Sequence, residues 1–222
     1  MQINADFLQR VVIRPGQIEW VPSPMPGVER MMLDRIGDEV ARATSLVRYG
    51  PGSRFSSHVH GGGEEFLVLD GVFSDEAGDY PAGTYVRNPI GSRHAPSSAG
   101  GCTIFVKLHQ FPAGDSARVV IDTNSAEFIA ESTPGLSILP LHRFGAEQVA
   151  LVRWAPGAGL TGRGQPGGEE ILVLEGMLQD EFGDYPAGTW IRTPHLFRNA
   201  PFSASGCLIY RKTGHLPARA GA

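Results

Sequence analysis

The chain of 222 residues contains only two cysteines, Cys102 and Cys207. Two thiols build neither a disulfide framework nor a Cys-rich zinc cluster. Runs of Lys or Arg that could neutralise several phosphates are absent, and the formal net charge is −4. Direct nucleic-acid binding is therefore not expected. No stretch approaches the roughly 18 apolar residues that mark a membrane-spanning helix. The opening residues, MQINADFLQRVVI, lack the basic start and apolar run of a secretory leader. A cytoplasmic location and no membrane partner are the expectation. Clear helical periodicity is missing too, which argues against a bundle.

Glycine (29) and proline (17), by contrast, are abundant. They follow no collagen-like period, so they point to the many tight turns of an all-β protein. Hydrophobic residues, at 41%, are numerous enough for a real core.

The chain also repeats itself. Residues 64–89 read EEFLVLDGVFSDEAGDYPAGTYVRNP, and residues 169–194 read EEILVLEGMLQDEFGDYPAGTWIRTP. Of these 26 aligned positions, 17 are identical at a constant offset of 105. The same offset pairs Pro51-Gly52 with Pro156-Gly157, and Cys102 with Cys207. Upstream, Asp34-Arg35-Ile36-Gly37 resembles His142-Arg143-Phe144-Gly145 at an offset of 108, so repeat 1 carries three extra residues between. A repeat of this length is a whole small domain, not a solenoid unit. The expected domains are residues 1–115 and 116–222.

Short segments rich in Val, Ile, Leu, Phe and Tyr read as strands: 43–49, 65–69, 84–87 and 103–108. Regular short strands between such turns predict a sandwich or barrel, of which the jelly-roll is one form.

Four residues carry the candidate chemistry. His58 and His60 alternate with Val59, so on a strand both imidazoles point the same way. Glu64 follows the Gly61-Gly62-Gly63 turn, and His94 arrives from a distant strand behind the Pro89-Gly91 turn. Three imidazoles and a carboxylate suit a divalent transition metal. Glu65 is the rival carboxylate; strand parity and the six-residue gap to Gly71 favour Glu64. If Glu64 faces inward, Phe66 and Val68 do as well, as an apolar wall of the pocket.

Repeat 2 is an internal control. At offset 105, His58 becomes Arg163, His60 becomes Gln165 and His94 becomes Asn199, and only Glu64 keeps its type, as Glu169. Arg offers no acceptor to a metal. The expectation is a degenerate, metal-free second site, with Arg163 in place of the cation and paired to Glu169. Features present in both halves belong to the scaffold by the same logic. These are the Tyr80–Gly83 and Tyr185–Gly188 turns, and the pairs Arg48/Arg153, Arg87/Arg192 and Lys107/Lys212. Cys102 and Cys207 read as small buried strand residues. His109, His142, His195 and His215 fit no ligand spacing and read as surface or loop positions.

The spacing Gly52-x5-His58-x-His60-x3-Glu64-x6-Gly71, followed by Gly83-x5-Pro89-x-Gly91-x2-His94, resembles the two signature motifs of the cupin superfamily. Ser98 stands where the second motif usually has Asn, which is not a ligand. The tract HVHGGGEEFLVLDGVFSDEAGDYPAGTYVRNPIGSRHAP resembles more specifically the cupin domain of the ChrR family of zinc-dependent anti-sigma factors. The resemblance implies a duplicated jelly-roll, a bicupin, with zinc foremost at His58, His60, Glu64 and His94, and iron, nickel or manganese as alternatives. ChrR proteins also hold a sigma factor through a separate helical zinc domain, and the first 40 residues here contain neither Cys nor His. An anti-sigma role is thus expected by similarity only.

Three functions are open from the sequence. The first is a zinc-dependent sensor with a closed four-ligand site and a regulatory protein partner. The second is a non-haem oxygenase acting on a small ketone or diketone. The third is a metal-stabilised structural domain. Packing of like domains makes a homo-oligomer conceivable, without fixing it.

Overall fold

The computed structural model describes residues 1–162 and 164–218. Among the described residues every regular element is a strand, and all strand pairs are antiparallel. The chain has the all-β cupin fold expected from its turns and short apolar runs. Among the described residues no helix is long and apolar enough to cross a membrane.

The chain divides into two compact units. Unit 1 comprises residues 1–5 and 18–126; unit 2 comprises residues 6–17 and 127–222. This differs from the serial split after residue 115. The reason is strand pairing. Val11–Ile13 pairs with Trp190–Thr193 and so completes unit 2. Val119–Asp122 pairs with Thr84–Asn88 and completes unit 1. The two edge strands carry the same tetrapeptide, Arg10-Val11-Val12-Ile13 and Arg118-Val119-Val120-Ile121, at the offset of 108. The RVVI strand near the start of each repeat thus belongs to the other repeat's unit.

In unit 1 the main sheet runs Gln2–Ile3, Val28–Gly37, Ala41–Tyr49, Cys102–Leu108, Glu64–Asp75, Thr84–Asn88, Val119–Asp122. Unit 2 repeats the order of the last six strands with Leu136–Phe144, Glu147–Trp154, Cys207–Thr213, Glu169–Asp180, Trp190–Thr193 and Val11–Ile13, and its edge strand Ile129–Ala130 corresponds to Val21–Pro22 of unit 1. One face of each sheet holds the apolar core. In unit 1 it includes Phe66, Val68, Phe73, Val86, Cys102, Ile104 and Val106. Burying a side chain such as Phe66 contributes about 2–3 kcal/mol. Both cysteines are free and buried at strand starts, as expected.

The other face of each sheet carries a buried row of charge. In unit 1, Lys107, Glu65 and Arg87 lie side by side across three strands, and in unit 2 Lys212, Glu170 and Arg192 do the same. Arg87 bonds Glu65 and, at 2.6 Å, Asp115; Lys212 meets Glu147 at 3.0 Å. His215 lies in the loop after Cys207–Thr213, one of the two placements expected, but its side chain is buried against Glu170 at 3.1 Å and so joins this network. Charges removed from water must be paired; the Lys–Glu–Arg row recurs in both halves, with different partners around it.

Two bulges matter for the site. Strand Glu64–Asp75 carries one extra residue at Leu69, between Val68 (opposite Ile104) and Asp70 (opposite Thr103). A bulge shifts the side-chain alternation by one. Glu64, Phe66 and Val68 face inward before it, and Phe73 and Asp75 after it. Strand Val28–Gly37 has the second bulge, at Leu33 between Met32 and Asp34.

Candidate metal centre

A short ribbon builds the centre. His58–Val59 pairs with Arg93–His94, which sets His94 directly opposite His58. The turn between holds through Gly91 N–H donating to the His60 carbonyl at 2.9 Å and His60 N–H to the Ser92 carbonyl at 2.9 Å. The His58 and His60 rings stack, 5.0 Å between centroids, so the expected common direction is present. Glu64 opens the long strand behind the glycine turn and faces this ribbon. One ligand atom each from His58, His60, Glu64 and His94 can be chosen so that all lie within 4.8 Å of one another. Glu65 points to the opposite face of the sheet and binds Arg87, which removes it as a rival.

The donor atoms are held in an arrangement that could take a metal. His58 Nδ1 lies 3.1 Å from the Ser56 carbonyl, and His94 Nδ1 lies 3.1 Å from Asp75. Both oxygens can only accept, so each Nδ1 carries the proton and each Nε2 presents its lone pair. Glu64 accepts a hydrogen bond from Asn88 Nδ2 at 3.0 Å. His94 Nε2 and both ring nitrogens of His60 are buried without a hydrogen-bond partner. Orphaned polar atoms are costly in a core. A divalent cation among them would remove that cost, so the residues present fit the group.

Burial disfavours charge on these residues. It lowers His60 to about 3, helped by the neighbouring His94, His58 and His109. It lowers His94 too, against the opposing pull of Asp75. Both imidazoles are thereby held in the neutral, ligating form. Burial raises Glu64 to about 7, countered by Asn88 and reinforced by Asp75. A carboxylate that resists ionisation alone becomes a good partner once a cation arrives.

A cavity of about 470 Å³ opens onto the cluster and includes His58, His60 and Glu64 in its wall. That volume is in the range of small-molecule sites. Its apolar wall comes from Val47, Tyr49, Ile104, Val106 and Leu108. The expected lining residues Phe66 and Val68 do share the inward face, but they are absorbed into the packed core and are not among the lining residues. The neighbouring strands, Ala41–Tyr49 and Cys102–Leu108, supply the wall instead. His109 departs from expectation in the other direction and lines the cavity. Its φ is 54°, and the equivalent Gly214 in repeat 2 has φ 75°. A non-glycine residue in this region carries backbone strain, a frequent mark of a functional position.

Two supporting residues escaped the sequence reading. Asp75 orients His94 only because the Leu69 bulge turns it inward. Asn88 holds Glu64, and its replacement by Thr193 in repeat 2 was the available signal.

Unit 2 has a cavity of about 250 Å³ in the corresponding place, lined among others by Gln165, Glu169, Asn199 and Arg211. Arg163 lies outside the described residues, and with it the expected pairing to Glu169. The Arg211 guanidinium stands 3.9 Å from Glu169. Asn199 bonds Asp180 at 3.0 Å, the counterpart of the His94–Asp75 contact. His195 accepts a hydrogen bond from Gly167 N–H at 2.8 Å and stays in a loop.

Fold and site define a bicupin. The profile of the ChrR cupin-like domain matches residues 8–112 and again 116–217, and the chain belongs to that family. No curated protein sequence matches it. Among solved structures, a candidate dioxygenase from Nostoc punctiforme PCC 73102 superposes with a TM-score of 0.80 at 14% identity, covering 96% of this chain and 85% of that one. A candidate glyoxylate-induced protein from Pseudomonas aeruginosa gives 0.74 at 13% identity, covering 92% and 87%. A variant of Bacillus subtilis oxalate decarboxylase gives 0.62 at 13%, covering 91% and 76%. At such identities the likeness is one of fold.

Proposed function

We propose that His58, His60, Glu64 and His94 hold one divalent transition metal ion, and that the protein uses it on a small organic molecule in the adjoining cavity. The observation that carries this reading is the cavity wall itself, which contains three of the four ligands. A metal serving only as a structural clip gains nothing from such an approach. Among cupin reactions, oxygenation of a small ketone or diketone fits the site best. The metal, when bound, would supply Lewis acidity and access to dioxygen. The chain's own residues supply the rest. Val47, Ile104, Val106 and Leu108 exclude water from one side of the bound molecule. Tyr49 remains a neutral phenol, because burial and the nearby Glu64 raise it well above its ordinary value. Asp75 and Asn88 fix His94 and Glu64. Unit 2 serves as a metal-free partner, and a cytoplasmic location accords with this role.

Oxygen uptake tests the proposal. Protein loaded with Fe(II), Mn(II), Ni(II) or Zn(II) is offered ketones and β-diketones under air. Uptake that requires both metal and ketone supports the reading, and none with any metal across the panel contradicts it.

Family membership favours a second reading, a zinc-dependent regulatory protein. It predicts tight zinc, no oxygen uptake, and release of zinc on exposure to an organic peroxide.

A further inference from the structure

The cavity of unit 1 has a second polar end. Arg30 and Arg35 both lie in its wall, together with Glu39 and Val40. The residues are five apart, and a regular strand would put them on opposite faces. The bulge at Leu33 corrects the parity. Arg30 stands opposite Val47 and Met32 opposite Ser45 before it; Arg35 stands opposite Ala43 after it. Val47, Ser45 and Ala43 share one face of their strand, the face on the cavity.

Among the described residues neither guanidinium has a carboxylate within hydrogen-bond distance. The Glu39 carboxylate stands 4.0 Å from Arg30, beyond hydrogen-bond range, and the Glu39 side chain is 76% exposed. Arg30 Nε is buried and has no partner. Arg35 is buried and donates to the Asp38 backbone carbonyl. Among the described residues no carboxylate pairs with it. Burial and the neighbouring Arg30 both lower its pKa, with Glu39 and Asp38 acting against them. Two cations lining one cavity are unfavourable unless an anion joins them.

Arg35 is shared by both repeats, as Arg143, but the rest of this end is confined to the metal half. At offset 108, Arg30 becomes Ile138, although the bulge is kept between Pro140 and His142. Asp38, Glu39 and Val40 are the three residues by which repeat 1 exceeds repeat 2. The arginine and the longer hairpin are lost from the half that also lost the histidines.

Resting on the proposed metal site, we propose that the cavity selects a small organic acid, with its carboxylate on Arg30 and Arg35 and its ketone end toward His58, His60 and Glu64. Guanidinium and carboxylate match as planar partners with two hydrogen bonds. The apolar wall between the two ends suits a short carbon chain.

A matched pair of probes tests this. Acetylacetone and acetopyruvate share a β-diketone, and only acetopyruvate bears a carboxylate. Titration calorimetry is run on metal-loaded and metal-depleted full-length protein, with metal content checked afterwards. Charge-assisted hydrogen bonds predict acetopyruvate tighter by about tenfold or more in wild type. In Arg30→Ile, which installs the repeat-2 residue, the preference should fall to near unity while acetylacetone affinity and metal content hold. Arg30→Lys should retain part of it, and covers the case of a poorly folded Ile variant. Equal affinity for the two probes in wild type, or a preference undiminished in folded Arg30 variants, overturns the proposal. Failure to load metal would sink the metal site alone, because the probe ratio in metal-depleted protein still judges the arginines.

Discussion

The two units share a backbone plan and differ in what lies at its centre. Strand order, the bulges at Leu69 and Leu174, the glycine turns and the buried Lys–Glu–Arg row recur in both. His58, His60, His94, Asn88, His109 and Arg30 become Arg163, Gln165, Asn199, Thr193, Gly214 and Ile138. The changes cluster around one cavity. A scaffold that survives such loss did not depend on the site for its folding. The site, conversely, borrows scaffold parts. Asp75 steers His94 and also accepts the Tyr80 hydroxyl at 3.1 Å, whereas Asp180 bonds Asn199 and the Tyr185 hydroxyl.

The sharpest break in this comparison is ligand deletion. His60→Ala should abolish most metal binding, and Gln165→Ala should leave it intact, as read by elemental analysis of the dialysed protein. Equal loss in both would mean that the halves are misassigned. Next in size is the buried charge row, which should behave alike in both units. Arg87→Met should destabilise the fold by about 3–5 kcal/mol by breaking its buried ion pairs with Glu65 and Asp115, and Arg192→Met should cost a similar amount by removing the buried cation beside Glu170, measured by urea unfolding. A cost confined to unit 1 would tie that row to the metal after all.

Metal removal should separate the units again. At a thousandfold excess over Kd a bound ion contributes about 4 kcal/mol to the fold that holds it. Chelation should therefore lower the unfolding temperature of one unit, seen as a shift in one calorimetric component; a shift in both would contradict the asymmetry. Smaller still is the orienting contact. Asp75→Asn should weaken metal affinity about 10–100-fold, and Asp180→Asn should not change it, by competition with a chromogenic chelator. The mildest effect concerns acidity. With Glu64 raised to about 7, metal must displace its proton below that pH. Affinity should then fall by up to about tenfold per unit below pH 7 and level off above it. Affinity flat from pH 5 to 8 would rule Glu64 out as the titrating ligand.

Much of this was legible in the sequence, because it rests on short-range rules. Alternation along a strand puts His58 beside His60 and separates Glu64 from Glu65. The constant offset exposes the loss of three ligands. What stayed hidden depends on register or on the meeting of distant segments. Nothing local says that Val11–Ile13 completes the other repeat's unit, although the repeated RVVI tetrapeptide marks both edge strands. Bulges hide Asp75 and the Arg30/Arg35 pairing, since one extra residue reverses parity. His109 was missed because it lies past the strand end, where a left-handed turn carries its ring onto Gly62. Asp75 is hidden for a second reason besides the bulge. Comparing repeats assigns shared residues to the scaffold, and this one serves both.

The central claim is one metal site, in the first half only. Elemental analysis of the full-length protein, saturated with metal and dialysed, tests it most directly when paired with the same measurement on His58→Ala/His60→Ala. The account predicts about one ion per chain in wild type and close to none in the double variant. Two ions per chain, or one ion retained by the double variant, would contradict it.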